Sequence, residues 1–182
     1  MAEEVAVLAG GCFWCTEAVF NDVIGVKSVE SGYTGGTVAN PDYKRVCGGD
    51  TGHAEAIRVT YDPDVISYGE LLDIFFAVHD PTQLNRQGND VGTQYRSAIF
   101  PQDSEQEKEA RRALDRAESH WDGNVVTTIE AKGDWWPAED YHQSYWEGEG
   151  QRNPYCIARI PPKLQKLRKS FQARVKGESA AY

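Results

Sequence analysis

Residues 57–81 read IRVTYDPDVISYGELLDIFFAVHDP, and this stretch decides between fold classes. Ile57, Val59 and Tyr61 alternate with Arg58 and Thr60, the period-two pattern of a strand with one wetter face, and Asp62-Pro63 closes it. Ser67 then opens a helix. With Glu70 three residues on it makes a capping box, in which each side chain serves the other's backbone N–H. Leu71, Leu72, Phe75, Phe76 and Val78 recur at helical spacing until His79-Asp80-Pro81 ends the run. A half-wet strand leading directly into a helix with an apolar face indicates one sheet packed against helices.

The flanks extend this pattern. Toward the N-terminus, 5–8 reads as a short buried strand that ends in Gly10-Gly11 and turns into a helix over 16–21, and 26–33 reads as a second strand. Residues 33–52 hold five Gly and one Pro, so they are expected to be irregular and to carry function. Toward the C-terminus come a polar loop over 83–94 and a strand over 95–100. Ser104 and Glu107 make a second capping box, opening a long helix. Its stripe of Ala110, Ala113, Leu114, Ala117 and Trp121 is thin, as suits a helix covering a sheet edge. A strand over 125–131, a short helix over 138–146 and a last helix with Leu164, Leu167 and Phe171 inward complete the chain. The order fits an α+β sandwich with a mostly antiparallel sheet better than a doubly wound nucleotide fold, and no G-x-G-x-x-G or P-loop fingerprint opens a helix.

With 182 residues, no internal repeat and no long linker, 1–182 reads as a single domain. The longest charge-free apolar run, 5–15, falls short of a bilayer span, so no membrane partner is expected. Glu3 and Glu4 stand where a secretory signal would carry positive charge, which leaves a cytoplasmic home as the default. Four cysteines are too sparse for a disulfide framework and read first as thiols, metal ligands or redox catalysts. The net charge of −9 disfavours nucleic acid. Residues 159–176 nonetheless carry seven bases and no acid, a set expected to pair with the acidic body from a solvated face.

The densest chemical signal is Gly11-Cys12-Phe13-Trp14-Cys15-Thr16-Glu17. Cys12 falls at or just before a helix N-terminus, where free N–H groups and the dipole favour a thiolate, and is the candidate nucleophile. Cys12 and Cys15 form C-x-x-C, used by disulfide enzymes and by half of many zinc sites. Cys47 and Cys156 are lone residues without knuckle spacing, so no metal site is expected. Phe13 and Trp14 beside a reactive sulfur make an apolar wall suited to a methyl or thioether group. Glu55, between Ala54 and Ala56, becomes a proton donor near neutrality if its carboxyl enters an apolar pocket. His53 is read as satisfying a local backbone group. Asn89 and Asp90, in the loop 86–97, are compatible with simple turn formation.

Together these segments resemble the peptide methionine sulfoxide reductase A family, which reduces the S epimer of methionine sulfoxide. The resemblance runs from Gly10 to about Phe171 through GCFWCTE at 11–17, SGYTGG at 31–36, NPDYKRVCGGDTGHAE at 40–55, HDPTQLNRQGNDVGTQYRSAIF at 79–100 and AEDYHQSYW at 138–146. It implies a two-layer sandwich around a ferredoxin-like core, with a mixed, mostly antiparallel sheet and extensive coil. It also implies Cys12 as attacking thiol, Phe13 and Trp14 lining the methyl pocket, Glu55 as proton donor, and Tyr43, Asp90 and Tyr95 on the polar side.

By the same resemblance a Cys12 sulfenic acid condenses with a second thiol, and thioredoxin or a substitute dithiol resets the enzyme without metal or organic cofactor. Oxidised proteins and free methionine sulfoxide are the implied substrates and the active species is a monomer. The commonest family version has glycine where this chain has Cys15. Cys156 is favoured as resolving thiol, in a segment expected to be mobile from about 147 with a short flexible tail at 177–182. Cys15, one helical turn from Cys12, is the close alternative, and Cys47 is expected to pack as a small hydrophobe. The competing enzymatic reading is a general C-x-x-C thiol–disulfide oxidoreductase.

Overall fold

Side-chain parity sorts the sheet into two faces in the computed structural model, which describes residues 3–176. On strand β1 (Glu4–Gly10), Ala6 and Leu8 face the main core, while Val7 and Ala9 face the other way. Helix α1 (Phe13–Asn21) leads into β2 (Val26–Thr34), and the short helix α2 (Tyr43–Cys47) precedes β3 (Ala54–Tyr61) and α3 (Tyr68–Val78). A hairpin of β4 (Arg86–Gln87) and β5 (Asp90–Val91) comes next, then β6 (Ser97–Phe100) and α4 (Ser104–His120). The short strands β7 (Thr128–Ile129) and β8 (Trp136–Pro137) precede α5 (Pro154–Ser170).

The inner strands lie in the order β6-β1-β3-β2, every neighbour antiparallel, with α1 joining β1 to β2 and α3 joining β3 to β6. This is the βαββαβ arrangement of a ferredoxin-like core. β7 adds in parallel beside β6, and β8 adds antiparallel beside β2. Ile57, Val59, Tyr61 and Ile99 point under the helices; Ala54, Ala56, Ala98 and Phe100 point to the far face, where Trp135 and coil cover them. Burial on both faces explains why β1 reads as an unbroken apolar run. The same parity puts Glu55 on the helix side, one step before Ile57.

The Ser67 capping box forms as read: Ser67 Oγ accepts the Glu70 N–H at 3.1 Å and Glu70 Oε1 accepts the Ser67 N–H at 3.2 Å. Leu71, Leu72 and Phe75 below it are fully buried, each worth about 2 kcal/mol of burial. Ser67→Ala is expected to cost about 1 kcal/mol in urea-midpoint measurements without altering the site.

The second capping box does not form: Asp103, one residue earlier, caps α4 by accepting the Gln106 N–H at 2.8 Å, while Gln106 Oε1 accepts the Gln102 N–H at 2.9 Å and not that of the cap residue. α4 packs chiefly on α3 and only touches the edge strand β7. The expected helix at 138–146 is a 3-10 turn, Asp140–His142, because Ser144 takes φ +52°, which an α-helix cannot accommodate. The strand expected over 125–131 shrinks to β7, and Tyr95 belongs to a 3-10 turn ahead of β6. The supposedly irregular 33–52 contains α2, capped by Asp42 accepting the Arg45 N–H at 2.7 Å. The last helix begins ten residues before Leu164, at Pro154, and continues through Pro161 and Pro162. Those prolines remove two helical donors and mask the helix in the sequence. The segment from 147 is folded as a 3-10 turn, Glu149–Arg152, and α5; the tail expected at 177–182 lies outside the described residues. Among the described residues no helix is long and apolar enough to cross a membrane.

Candidate active site

β1 delivers the chain to α1 through two glycines packed against other elements. A Cβ on Gly10 would stand 3.0 Å from the Phe75 ring, and Gly11 sits at φ +94° where a Cβ would meet Gln87 at 2.8 Å. Cys12 is the N-cap of α1, and its carbonyl accepts the Cys15 N–H at 3.1 Å. All four cysteines are free thiols, and Cys12 and Cys15 are both buried. The Cys12 and Cys15 thiols interact directly, so that each affects the other's ionisation.

Glu55 reaches the same helix terminus from β3. It is 1% exposed, and its Oε1 accepts the Phe13 N–H at 3.1 Å. Its other oxygen, Oε2, is buried without a hydrogen-bond partner. Burial pushes the carboxyl up to about 8, against the lowering effect of the Phe13 N–H. Glu55 is therefore an acid that keeps its proton at neutrality and has a free oxygen from which to deliver it.

The charge on the thiols differs from the expectation drawn from the helix terminus. Burial pushes the Cys12 thiol up, reinforced by its bond to Cys15 and by Glu55. Glu55 also occupies the Phe13 N–H, one of the donors that would otherwise stabilise a Cys12 thiolate. Cys15 is held below the ordinary thiol range, first by its interaction with the Cys12 thiol and, against the raising effect of burial, by Lys163 and Arg159 of α5. The two sulfurs form one coupled unit whose first negative charge sits on Cys15.

Aromatic rings surround the pair. Phe13 is fully buried against Tyr33 and His142, with ring centroids 5.6 and 5.2 Å away. Trp14 stacks on Tyr145 at 4.0 Å, and its Nε1–H donates to His142 Nδ1 at 3.0 Å. Ser144, next to Tyr145, gives its N–H to Glu17 Oε2 at 2.9 Å, which ties this wall back to α1. Tyr43 starts α2, its N–H bound to Glu139 Oε2 at 3.0 Å and its ring 4.4 Å from His142. Tyr43 and Tyr95 both lie within the field of Glu55, and burial raises both phenols, keeping them hydrogen-bond donors.

Asp90, on β5, accepts a short hydrogen bond from the Tyr155 hydroxyl and lies 3.8 Å from Arg159. The structure thus brings Cys12, Phe13, Trp14, Cys15, Tyr43, Glu55, Asp90 and Tyr95 to one end of the sheet. Cys156 sits in the first turn of α5, fully buried in the same core, its thiol pushed up to about 12 by burial.

Cys47 is not the packed hydrophobe expected from its sequence. It is exposed at the end of α2, where burial raises its thiol and the neighbouring hydroxyls of Tyr43 and Tyr95 oppose that rise. The spacing of Tyr43 and Cys47, one helical turn apart, held that signal once 43–47 is read as a helix. Tyr33, His142, Tyr145 and Tyr155 also line the site without having been singled out. His53 does bind backbone: Nδ1 accepts the Gly36 N–H at 3.1 Å, so the proton on Nε2 goes to the Val38 carbonyl at 2.7 Å. Among the described residues no group of three or more His, Cys, Asp and Glu is arranged to hold a metal ion.

The comparisons with known proteins agree with this geometry. The family model described as peptide methionine sulfoxide reductase matches residues 4–175. Peptide methionine sulfoxide reductase MsrA of Erwinia tasmaniensis is 68% identical over 173 residues, spanning 95% of this chain and 97% of the relative. Among solved structures, Mxr1 of Saccharomyces cerevisiae in reduced form is 37% identical with a TM-score of 0.75, covering 84% of this chain and 86% of that one. Mxr1 in complex with Trx2 is 26% identical with a TM-score of 0.55, covering 79% and 84%.

Proposed function

The chain belongs to the peptide methionine sulfoxide reductase family, and on that premise we propose that Cys12 attacks the sulfur of methionine-S-sulfoxide while Glu55 protonates its oxygen. The protein is an oxidoreductase acting on methionine sulfoxide at the expense of thiols. The observation that carries the residue roles is the buried Glu55 carboxyl with one oxygen on the Phe13 N–H, the other free, and a proton held up to about 8.

A sulfoxide sulfur is a poor electrophile until its oxygen is protonated or strongly hydrogen-bonded. Glu55 supplies the proton, with the Tyr43 and Tyr95 hydroxyls as further donors. Cys12 enters from its coupled pair in the state where the single charge lies on its own sulfur and Cys15 holds the proton. The sulfur–sulfur bond forms, the oxygen passes to Cys12 as a sulfenic acid, and the thioether leaves as methionine. A second thiol, Cys15 or Cys156, then attacks the sulfenic sulfur; a disulfide forms and the oxygen departs as water. In sum, two thiols and one sulfoxide become one disulfide, one thioether and one water.

Thioredoxin or another dithiol reduces the disulfide, and neither metal nor organic cofactor takes part. Free methionine sulfoxide and oxidised proteins are the substrates, and the enzyme works as a cytoplasmic monomer in protein repair. Phe13 and Trp14 hold the substrate methyl group, with Asp90 completing the polar side through Tyr155. The reductase reading gives the buried, protonated Glu55 a task that disulfide exchange does not contain, delivery of a proton to a sulfoxide oxygen.

Incubation with thioredoxin and resolved epimers tests the assignment. The S epimer of a methionine sulfoxide should be consumed and the R epimer left; consumption of neither, alongside rapid insulin reduction, would favour the exchanger. Trp14→Ala is expected to raise KM by about tenfold with a smaller change in kcat, since an aromatic wall binds substrate and transition state alike.

A further inference from the structure

The seven bases of 159–176 do not all lie on a solvated face. Arg168 pairs with Asp22 at 3.3 Å, and Arg174 with Glu70, as the acidic body invites. Arg159 and Lys163 turn inward instead. They lie four residues apart on α5, hence on one face, and α5 packs on α1. Lys163 Nζ donates to the Val78 carbonyl at 2.8 Å, and Arg159 lies over the Tyr155 ring at 4.7 Å while its Nη1 reaches the Gln87 carbonyl at 3.5 Å. Backbone and ring contacts thus anchor both cations beside the thiols; Arg159 also pairs with Asp90 at 3.8 Å, whereas the contact that holds Lys163 is with a neutral carbonyl.

Resting on the sulfoxide reductase reading, we propose that Arg159 and Lys163 are positioning residues that commit Cys15, rather than Cys156, to closing the first disulfide with Cys12. Cys15 is one turn from Cys12 on the same helix, its N–H bound to the Cys12 carbonyl at 3.1 Å, so closure needs no large backbone rearrangement. Cys156 is fully buried within the first turn of another helix, and that turn would have to open before its sulfur could attack.

The groups facing Cys15 are Cys12 from its own helix, Lys163, Arg159, Tyr155 and Cys156 from α5, Asp90 from β5 and Glu55 from β3. Only Lys163 and Arg159 bring positive charge. Asp90 opposes them and is itself drawn toward Arg159. The net effect holds Cys15 ionised ahead of the other thiols. In the step itself the Cys15 thiolate attacks the Cys12 sulfenic sulfur, the S–S bond forms as the S–O bond breaks, and the departing hydroxide becomes water by taking up a solvent proton. That proton is the one the thiol pair released at its first ionisation; the proton Cys15 held while Cys12 attacked passes to the Glu55 carboxylate left by the first step, which frees the Cys15 thiolate and restores the acid.

Two measurements on the full chain decide this. Prereduced protein is given one equivalent of methionine sulfoxide without dithiol, blocked and mapped by peptide analysis. A Cys12–Cys15 link is expected; methionine release with Cys12 linked to Cys156 instead overturns the proposal while leaving the reductase reading intact, and absence of any methionine counts against the reductase reading itself. Thiolate absorbance is then titrated on the reduced protein. The first ionisation should vanish in Cys15→Ser, move up by about one pH unit in Lys163→Met, a tenfold smaller thiolate fraction, and return in Lys163→Arg. An ionisation indifferent to Lys163→Met in folded protein refutes the role of the cations.

Discussion

Cys12→Ser is expected to abolish methionine formation, lowering single-turnover release by ~10⁴-fold or more. A serine hydroxyl has nearly the volume of the thiol but stays protonated, and oxygen cannot proceed to a sulfenic acid or a disulfide. The substitution is clean because of where Cys12 sits. As N-cap of α1 it makes no side-chain cap bond, and serine is among the preferred residues there. The variant should therefore melt at or above the wild-type temperature, which separates lost chemistry from lost fold. Cys15→Ser should retain methionine release, because Cys12 keeps its contact with Glu55's end of the sheet.

Glu55→Gln should slow sulfoxide reduction by about 10²- to 10⁴-fold, the usual weight of a positioned acid. The amide keeps an oxygen for the Phe13 N–H but offers no acidic proton. In the wild type the acid is lost as pH rises through about 8, so the single-turnover rate should fall on that alkaline side, and this limb should disappear in the variant. The stability consequence has the opposite sense. The folded chain holds the Glu55 proton over the window from about 4.5, where the unfolded chain releases it, up to about 8. Wild-type stability therefore drops as pH climbs through that window. Glu55→Gln escapes this cost, and denaturant titration at pH 9 should find the variant the more stable protein. An inactive variant less stable at pH 9 would mean that the carboxyl serves the fold and not the reaction.

The parts of the fold legible in the sequence were those with strong local signals. The Ser67 capping box and its apolar repeat place α3, and the alternation of Ile57, Val59 and Tyr61 places β3. Carrying that alternation back two residues would have put Glu55 inward, under α1, without any family resemblance. Other elements depend on partners distant in the chain. The wall of Tyr145 and His142 exists because Ser144 is bound by Glu17, some 127 residues earlier, and no local pattern encodes that. The inward turn of Arg159 and Lys163 is invisible for a related reason: Pro161 and Pro162 hide the helix whose face they share. The charge on the thiol pair was the least legible property. A helix terminus alone argues for a Cys12 thiolate, yet Glu55 occupies the N–H that would support it, and the cations that favour Cys15 arrive from α5.

The most direct test is a thiol count on prereduced protein given methionine-S-sulfoxide with no recycling reductant. One methionine should appear for every two thiols lost, with Cys12 in the resulting disulfide and no release from Cys12→Ser. Methionine formed with all four thiols intact, or formed equally well without Cys12, would contradict the account.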